Sequence, residues 1–533
     1  MTILHQSKTQ SNHNFSPLDG AAKGLKVKRA LLRAGFKKER GADAYDMFMG
    51  VVNSRLIGEN LWRADHSSAR VILPASKSSM YRFMSRYTGN WERLAVIIGA
   101  EAVKYFKTLN DTDDTCFCLD DTLTEHCGAK AMEGCTWVHD HNDDVYRKGY
   151  NFQELVWTDG FSAVYLGGKL VCNDEKEGKK ACPKAVKKEP DRRTYAHQIR
   201  VEAYQQKNDL ALEQVKQAIK HGIKPRYLLE DSWYSYTPHL VAIKKLGIDV
   251  ITMLKKDNRR YYTVDRKGRY KDYLDLKELG DRMMKKAEQK EARRLAKIKE
   301  AEKAADNGDA PVKLGKDAEA GNSDILGTQI VLAVNADENI NDPKTNKIML
   351  KLVFVRNRKN KNEFLVLAST RLDLTAERIV QLYGRRWTCE TGFHLQKKFF
   401  GLGKESQSTS FDNQNAFANI ACIRGTMVEF KRRTEEDVRG MGEIFISATE
   451  AVREIPLTMA LDALMEVFDN IVDKLEQAGC IVKGKERKAR SIVNQALKEW
   501  FSALTDYAQK FIEGCSCEAV KLFGLKPCKA QTA

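Results

Sequence analysis

Two short apolar runs that each end in acids constrain this chain more than anything else in it. Thr115-Cys-Phe-Cys-Leu-Asp-Asp-Thr122 and Tyr227-Leu-Leu-Glu-Asp-Ser-Trp-Tyr234 are each too short for a helix. Both read as buried strands that deliver carboxylates at their C-terminal ends. Similar runs follow at Glu154–Gly160, Ser162–Cys172, Asp249–Lys256, Lys347–Arg358 and Glu363–Thr370, with a helical stretch over Tyr195–Gly222 between them. Strands first, then strands mixed with helices, predict an α/β core.

Around this core the texture is helical. Residues 1–20 are polar and read as disordered. Lys23 to Arg40 holds Lys23, Lys26, Lys28, Arg29, Arg33, Lys37, Lys38 and Arg40 against the single acid Glu39, interleaved with Leu25, Leu31, Leu32 and Phe36. This reads as a basic amphipathic helix for DNA phosphates; a solvated helix face is the plainer alternative. Residues 42–108 continue as helix, with Ser78 and Ser79 as candidate caps. Residues 277–320, rich in Lys, Glu and Ala, lack a sustained apolar stripe and read as a solvated helix and linker inserted in the core. Helices are expected over 375–400 and Asn413–Arg433. Leu457, Leu461, Leu464, Met465, Phe468 and Ile471 recur at helix spacing and suit either dimerisation or a layer packed on the core. The division expected is a helical N-terminal DNA-binding domain (1–108), core (109–256), insertion (257–345), core (346–435) and a helical C-terminal domain (436–533).

Lys and Arg outnumber Asp and Glu by 89 to 72, a formal charge of +17 over 533 residues. That excess favours a polyanionic partner, since each neutralised phosphate releases counterions. No apolar run approaches the roughly 18 residues that span a bilayer, and the first 20 residues lack the apolar stretch of a secretion signal. The 12 cysteines are irregularly spaced, without a CxxC pair, and read as reduced thiols in a cytoplasmic protein. Cys116 and Cys118 read as alternating strand positions. Cys515 and Cys517 lack two further ligands at zinc spacing. His139-Asp140-His141 reads as a structural or DNA-proximal loop, and Trp387 as a packing residue.

Hard divalent cations take carboxylate oxygens, and phosphodiester cleavage by two metals needs acids that converge. The candidates are Asp120 and Asp121, Glu230 and Asp231, and Glu390. Tyr383, Arg386, Glu390 and Lys397 stand three, four and seven apart, so one helix face would present them in line. Such a face offers a carboxylate for metal with cations for phosphate. Each acid alone has an ordinary reading: a surface turn, a helix cap, an i,i+4 pair with Arg386.

The spacing Tyr-x2-Arg-x3-Glu-x6-Lys resembles the YREK signature of bacterial insertion-sequence transposases of the IS-four group, and all four positions match. Asp120-Asp121-Thr122 resembles the first catalytic motif of that group, and the resemblance selects Asp121 over Asp120. The D-x-W/F segment resembles the second and selects Asp231 over Glu230. Glu133–Asn151 resembles the region after the first Asp in relatives. Over roughly residues 110–430, the resemblance implies an RNase H-like core with an insertion, and two Mg²⁺ or Mn²⁺ ions on Asp121, Asp231 and Glu390. Tyr383, Arg386 and Lys397 would hold terminal phosphates. It implies cut-and-paste transposition by a homodimer acting on double-stranded DNA at terminal inverted repeats, and so a place at the bacterial nucleoid. A nuclease without strand transfer and a DNA-binding repressor are the competing readings. Some relatives stack a flipped base on a Trp of the insertion; here no Trp stands between Trp233 and Trp387, and Tyr261, Tyr262, Tyr270 and Tyr273 are the candidates to replace it.

Overall fold

The computed structural model describes residues 16–37, 40–56, 60–66, 70, 73–86, 88–140, 143–173, 182, 189–265, 267–306, 324–335, 342, 345–406, 408–452, 471, 473–482 and 484–502. The polar residues 1–15, Lys38, His141, Leu457 to Phe468 of the C-terminal stripe, and Cys515 and Cys517 lie outside them. The chain divides into two compact units, residues 1–23, 38–83 and 438–533, and residues 24–37 and 84–437.

The first unit is helical among its described residues. Ala44–Leu56 carries Met47, Phe48, Val51, Val52 and Leu56 into its core. Gly50 lets Pro74 and Met80 approach closely, because a β-carbon there would stand 2.5 Å from the Pro74 ring. Asn60 caps Leu61–Asp65 by accepting from the Arg63 N–H at 3.0 Å, which satisfies one of the open amides of a first turn. Lys77–Met84 begins one residue before Ser78, so neither Ser78 nor Ser79 is its cap.

The second unit is built on an eleven-stranded mixed sheet. Its strands are β1 (Cys116–Glu125), β2 (Thr136–Asp140), β3 (Val145–Thr158), β4 (Ala163–Val171), β5 (Tyr227–Glu230), β6 (Asp249–Met253), β7 (Arg260–Val264), β8 (Tyr270–Asp275), β9 (Ile325–Val334), β10 (Lys347–Arg356) and β11 (Phe364–Ser369). β1, β3 and β4 form an antiparallel meander, while β5 and β6 run parallel to β1. The spatial order β4-β3-β1-β5-β6 is that of an RNase H-like core. β11, β10, β9, β7 and β8 extend it antiparallel beyond β6, and β2 pairs the first half of β3. The stretch expected as an insertion thus adds β7, β8 and β9 to the same sheet, with the long helix Leu276–Asp306 between β8 and β9 in the chain.

Burial explains which runs became central strands. Cys116–Leu119 and Tyr227–Glu230 are buried at every position, as strands covered on both faces must be. Beyond β6, the antiparallel strands mix buried with exposed positions. The free edge of β4 is covered by helix Phe411–Thr434. Asn419 exchanges hydrogen bonds with Gly168, its Oδ1 accepting from the N–H at 3.0 Å and its Nδ2 donating to the C=O at 3.1 Å. Helix Trp91–Leu109, which the division at 108/109 leaves with the N-terminal region, packs Gly99 on Leu166 and Val164 of β4. The expected helix over Tyr195–Gly222 is two helices, Tyr195–Glu202 and Lys207–Lys220.

Candidate active site

β5 pairs only Cys116–Leu119 of β1. β1 continues to Glu125 with β3 alone beside it, so Asp120 and Asp121 stand mid-strand, on a lip where the parallel neighbour has ended. The expectation of a strand ending at these acids is corrected by that unequal length: an apolar run marks the buried part of a strand, not its end.

Successive strand side chains point to opposite faces, and the two acids part company. Asp120 Oδ2 accepts from Arg386 Nη1 at 2.6 Å, and the same guanidinium donates through Nη2 to Glu390 Oε1 at 2.5 Å. Burial raises the Asp120 carboxyl to about 7, against the pull of Arg386, with Asp121 and Asp231 adding to the rise. Asp121 instead accepts from Lys207 Nζ at 2.7 Å and from the Tyr234 hydroxyl at 3.3 Å.

The signature residues sit on two helices and a wider turn rather than on one continuous helix. Ala376–Gly384, capped by Thr375, ends after Tyr383; Trp387–Leu395 carries Glu390; Gln396–Phe400 is a π-helical turn that carries Lys397. Such turns are rare and collect at functional sites. Arg386 lies over the Tyr383 ring, 5.7 Å from its centroid. Lys397 Nζ donates to Thr122 Oγ1 at 2.6 Å, and burial lowers its ammonium below the usual lysine range although Asp140 and Glu125 oppose. Burial pushes the Tyr383 phenol up to about 12. The Tyr383 hydroxyl and Arg386 Nε are buried with no hydrogen-bond partner among the described residues.

Asp231 follows β5 at the start of the short turn Ser232–Tyr234 and accepts from the Trp233 N–H, the capping role that a lone Asp at this place would have. It shares with Asp121, Thr122, Lys207 and Lys397 the wall of a cavity of about 670 Å³. Glu390 is not on that wall, being turned to Arg386. Among the described residues no three His, Cys, Asp or Glu side chains are arranged to hold a metal ion as they stand. Glu230 is fully buried, bonded to His239 at 3.0 Å.

Other expected residues fall as follows. The basic segment is not one amphipathic helix: Lys26 has a left-handed backbone (φ 52°) between Asp19–Gly24 and Val27–Arg33, and pairs with Glu101 at 2.6 Å. Lys28, Arg29 and Arg33 are exposed, as is Leu32. Cys116 and Cys118 are buried on β1. His139 pairs with Asp144 at 3.0 Å on the β2–β3 hairpin. Trp387 is 62% exposed, which corrects its expected packing role: Cys389, Gly392 and Phe393 form the inner face of its helix, and position 387 faces away. Lys207 and Tyr234 escaped the sequence reading because nothing in the spacing of Lys207 from Asp121 signals contact.

Two family models match the chain, "DDE superfamily endonuclease" over residues 67–305 and "Transposase DDE domain" over residues 191–424. No curated protein matches it. The chain therefore carries a DDE domain on an RNase H-like sheet, and it is an enzyme of the DDE transposase/endonuclease class, whose substrate is DNA. No described helix is long and apolar enough to cross a membrane.

Proposed function

We propose that this enzyme is an insertion-sequence transposase of the IS-four kind, which cuts DNA at the element's ends and joins the freed 3′-OH to target DNA. The observation that carries this is the position of Arg386. One guanidinium ties the β1 acid Asp120 to Glu390, with Tyr383 beneath it and Lys397 reaching Thr122 of the same strand. The four signature residues thus close over the first acidic motif.

The donor set suits Mg²⁺ or Mn²⁺. Hard cations take carboxylate oxygens, and Asp231 lies near enough to Asp120 to raise its carboxyl. The resemblance took Asp121 as the first acid; strand alternation makes Asp120 the one that shares a face with Glu390, and we assign Asp120, Asp231 and Glu390 as the acids that hold metal. Bound there, divalent cations supply the activation of an attacking oxygen and the stabilisation of the leaving one. The protein's own part is positional. Arg386, released from Glu390 when metal takes that carboxylate, would turn its freed N–H donor to a phosphate, with Lys397 as a point charge and the Tyr383 hydroxyl as a hydrogen-bond donor.

The test uses purified protein, Mg²⁺ and DNA from the borders of the coding sequence. Cleavage with strand-transfer products is expected from the natural chain, and neither from Asp231→Asn or Glu390→Gln. Cleavage without joined products would identify a nuclease instead. Full activity in both variants would refute the acid assignment.

A further inference from the structure

Lys207 stands at the N-terminus of the Lys207–Lys220 helix, where the helix dipole disfavours a cation and favours an acid such as the nearby Asp209. Its placement therefore serves something other than the helix. Its side chain is only 17% exposed, yet its ammonium reaches the wall of the Asp121–Asp231 cavity. Two contacts fix it there. Nζ donates to Asp121 Oδ2 at 2.7 Å. It lies over the indole of Trp233, 5.3 Å from the ring centroid, and the Trp233 N–H is bound by Asp231. Behind this wall His239 bonds Glu230, the residue before Asp231, at 3.0 Å.

The same wall includes Lys397 and Lys404, so three lysines line one space beside Asp121 and Asp231. Lys397 is held by a neutral hydroxyl, whereas Lys207 is held by a carboxylate. A phosphodiester oxygen offers an ammonium the charge that Asp121 offers it. We infer that Lys207 is a further DNA-backbone contact of this site: it rests on Asp121 in the free protein and takes a phosphate when a strand enters the cavity that it lines together with Lys397. This rests on the reading of the site as a DNA-processing centre. It gives Asp121 a role distinct from that of Asp120, as the resting partner of a phosphate-binding lysine.

Fluorescence anisotropy of a labelled duplex in EDTA, across a salt series, tests it without metal or turnover. Lys207→Ala should weaken binding and reduce the slope of log K against log salt by about 1, the loss of one phosphate contact. Lys207→Arg should keep both. Asp121→Asn should tighten binding, since it frees the lysine. Thermal unfolding of each variant checks folding. A Lys207→Ala protein that unfolds at lower temperature but binds with the natural slope would show a structural ion pair and overturn the inference, as would weaker binding by Asp121→Asn. Arg386→Ala separates this from failure of the parent reading. If it too leaves binding unchanged, the site does not meet DNA; if it weakens binding while Lys207→Ala does not, only the role of Lys207 is lost.

Discussion

The two faces of β1 at the Asp120–Asp121 lip are built from neighbouring residues and differ in kind. On one, Asp120 has Glu154 as its cross-strand neighbour on β3, and Glu154 Oε1 accepts from Gln396 Nε2 at 2.7 Å. That face holds Arg386, Glu390 and the π-helical turn. On the other, Asp121 is opposite Gln153, which bonds Gln214 at 2.9 Å and accepts from Tyr234 at 3.2 Å. The first face gathers two acids around an arginine, where the Tyr383 hydroxyl and Arg386 Nε are buried without a hydrogen-bond partner among the described residues. The second is a hydrogen-bonded set of Asp121, Gln153, Gln214 and Tyr234, with Lys207 donating to Asp121 on the cavity wall. Adjacent acids in a motif can therefore meet different partners, and strand register separates them where motif spelling cannot.

The sharpest way to break this comparison is to remove each acid in turn. Asp120→Asn should lower DNA cleavage by about three orders of magnitude, the scale of losing one strong electrostatic contact to the transition state. Asp121→Asn should cost about ten- to a hundredfold, as for a group that orients others. Single-turnover cleavage rates measure both. The reverse ranking would return the first-acid role to Asp121.

A second prediction concerns what holds the Arg386 face in place. Arg424, fully buried in helix Phe411–Thr434, donates to Glu405 at 3.0 Å and to the Phe400 carbonyl at 2.9 Å. It pins the end of the turn that carries Lys397. Arg424→Ala removes the guanidinium from this buried pair and should cost about 3–5 kcal/mol, read by urea unfolding. A loss within the scatter of surface substitutions would mean the pair is dispensable.

A third, smaller effect distinguishes the two neighbours on β3. Burial raises Glu154 from 4.5 to about 7, against the hydrogen bonds from Gln396 and Cys422. The folded chain then holds this proton more tightly than the unfolded one. The stabilisation it brings is complete below about pH 4.5 and lost as pH rises through 7. Glu154→Gln should flatten that part of the melting-temperature profile, while Gln153→Ala should shift the whole profile without changing its slope there. An unchanged slope in Glu154→Gln would mean that the carboxyl titrates as it does in the unfolded chain.

Much of this was legible in the residues. The buried quartets Cys116–Leu119 and Tyr227–Glu230 announce central strands because apolar side chains on both faces suit nothing else in an α/β sheet. The Arg386–Glu390 pair follows from helical spacing, and the structure forms it. Less was legible where a feature depends on partners far along the chain. β7 and β8 are short and rich in Tyr, Arg and Lys, and become strands because β9 pairs with β7. The ends of β1 depend on the length of β5. The outward turn of Trp387 depends on which side of its helix meets the sheet.

On this assignment Asp120, Asp231 and Glu390 form the metal-holding set. Anomalous diffraction from crystals of the DNA-bound protein with Mn²⁺ tests it most directly. Manganese should lie on these three carboxylates, with Arg386 turned from Glu390 to a phosphate and Asp121 off the metal. Manganese bound by Asp121 while Asp120 still grips Arg386 would contradict it.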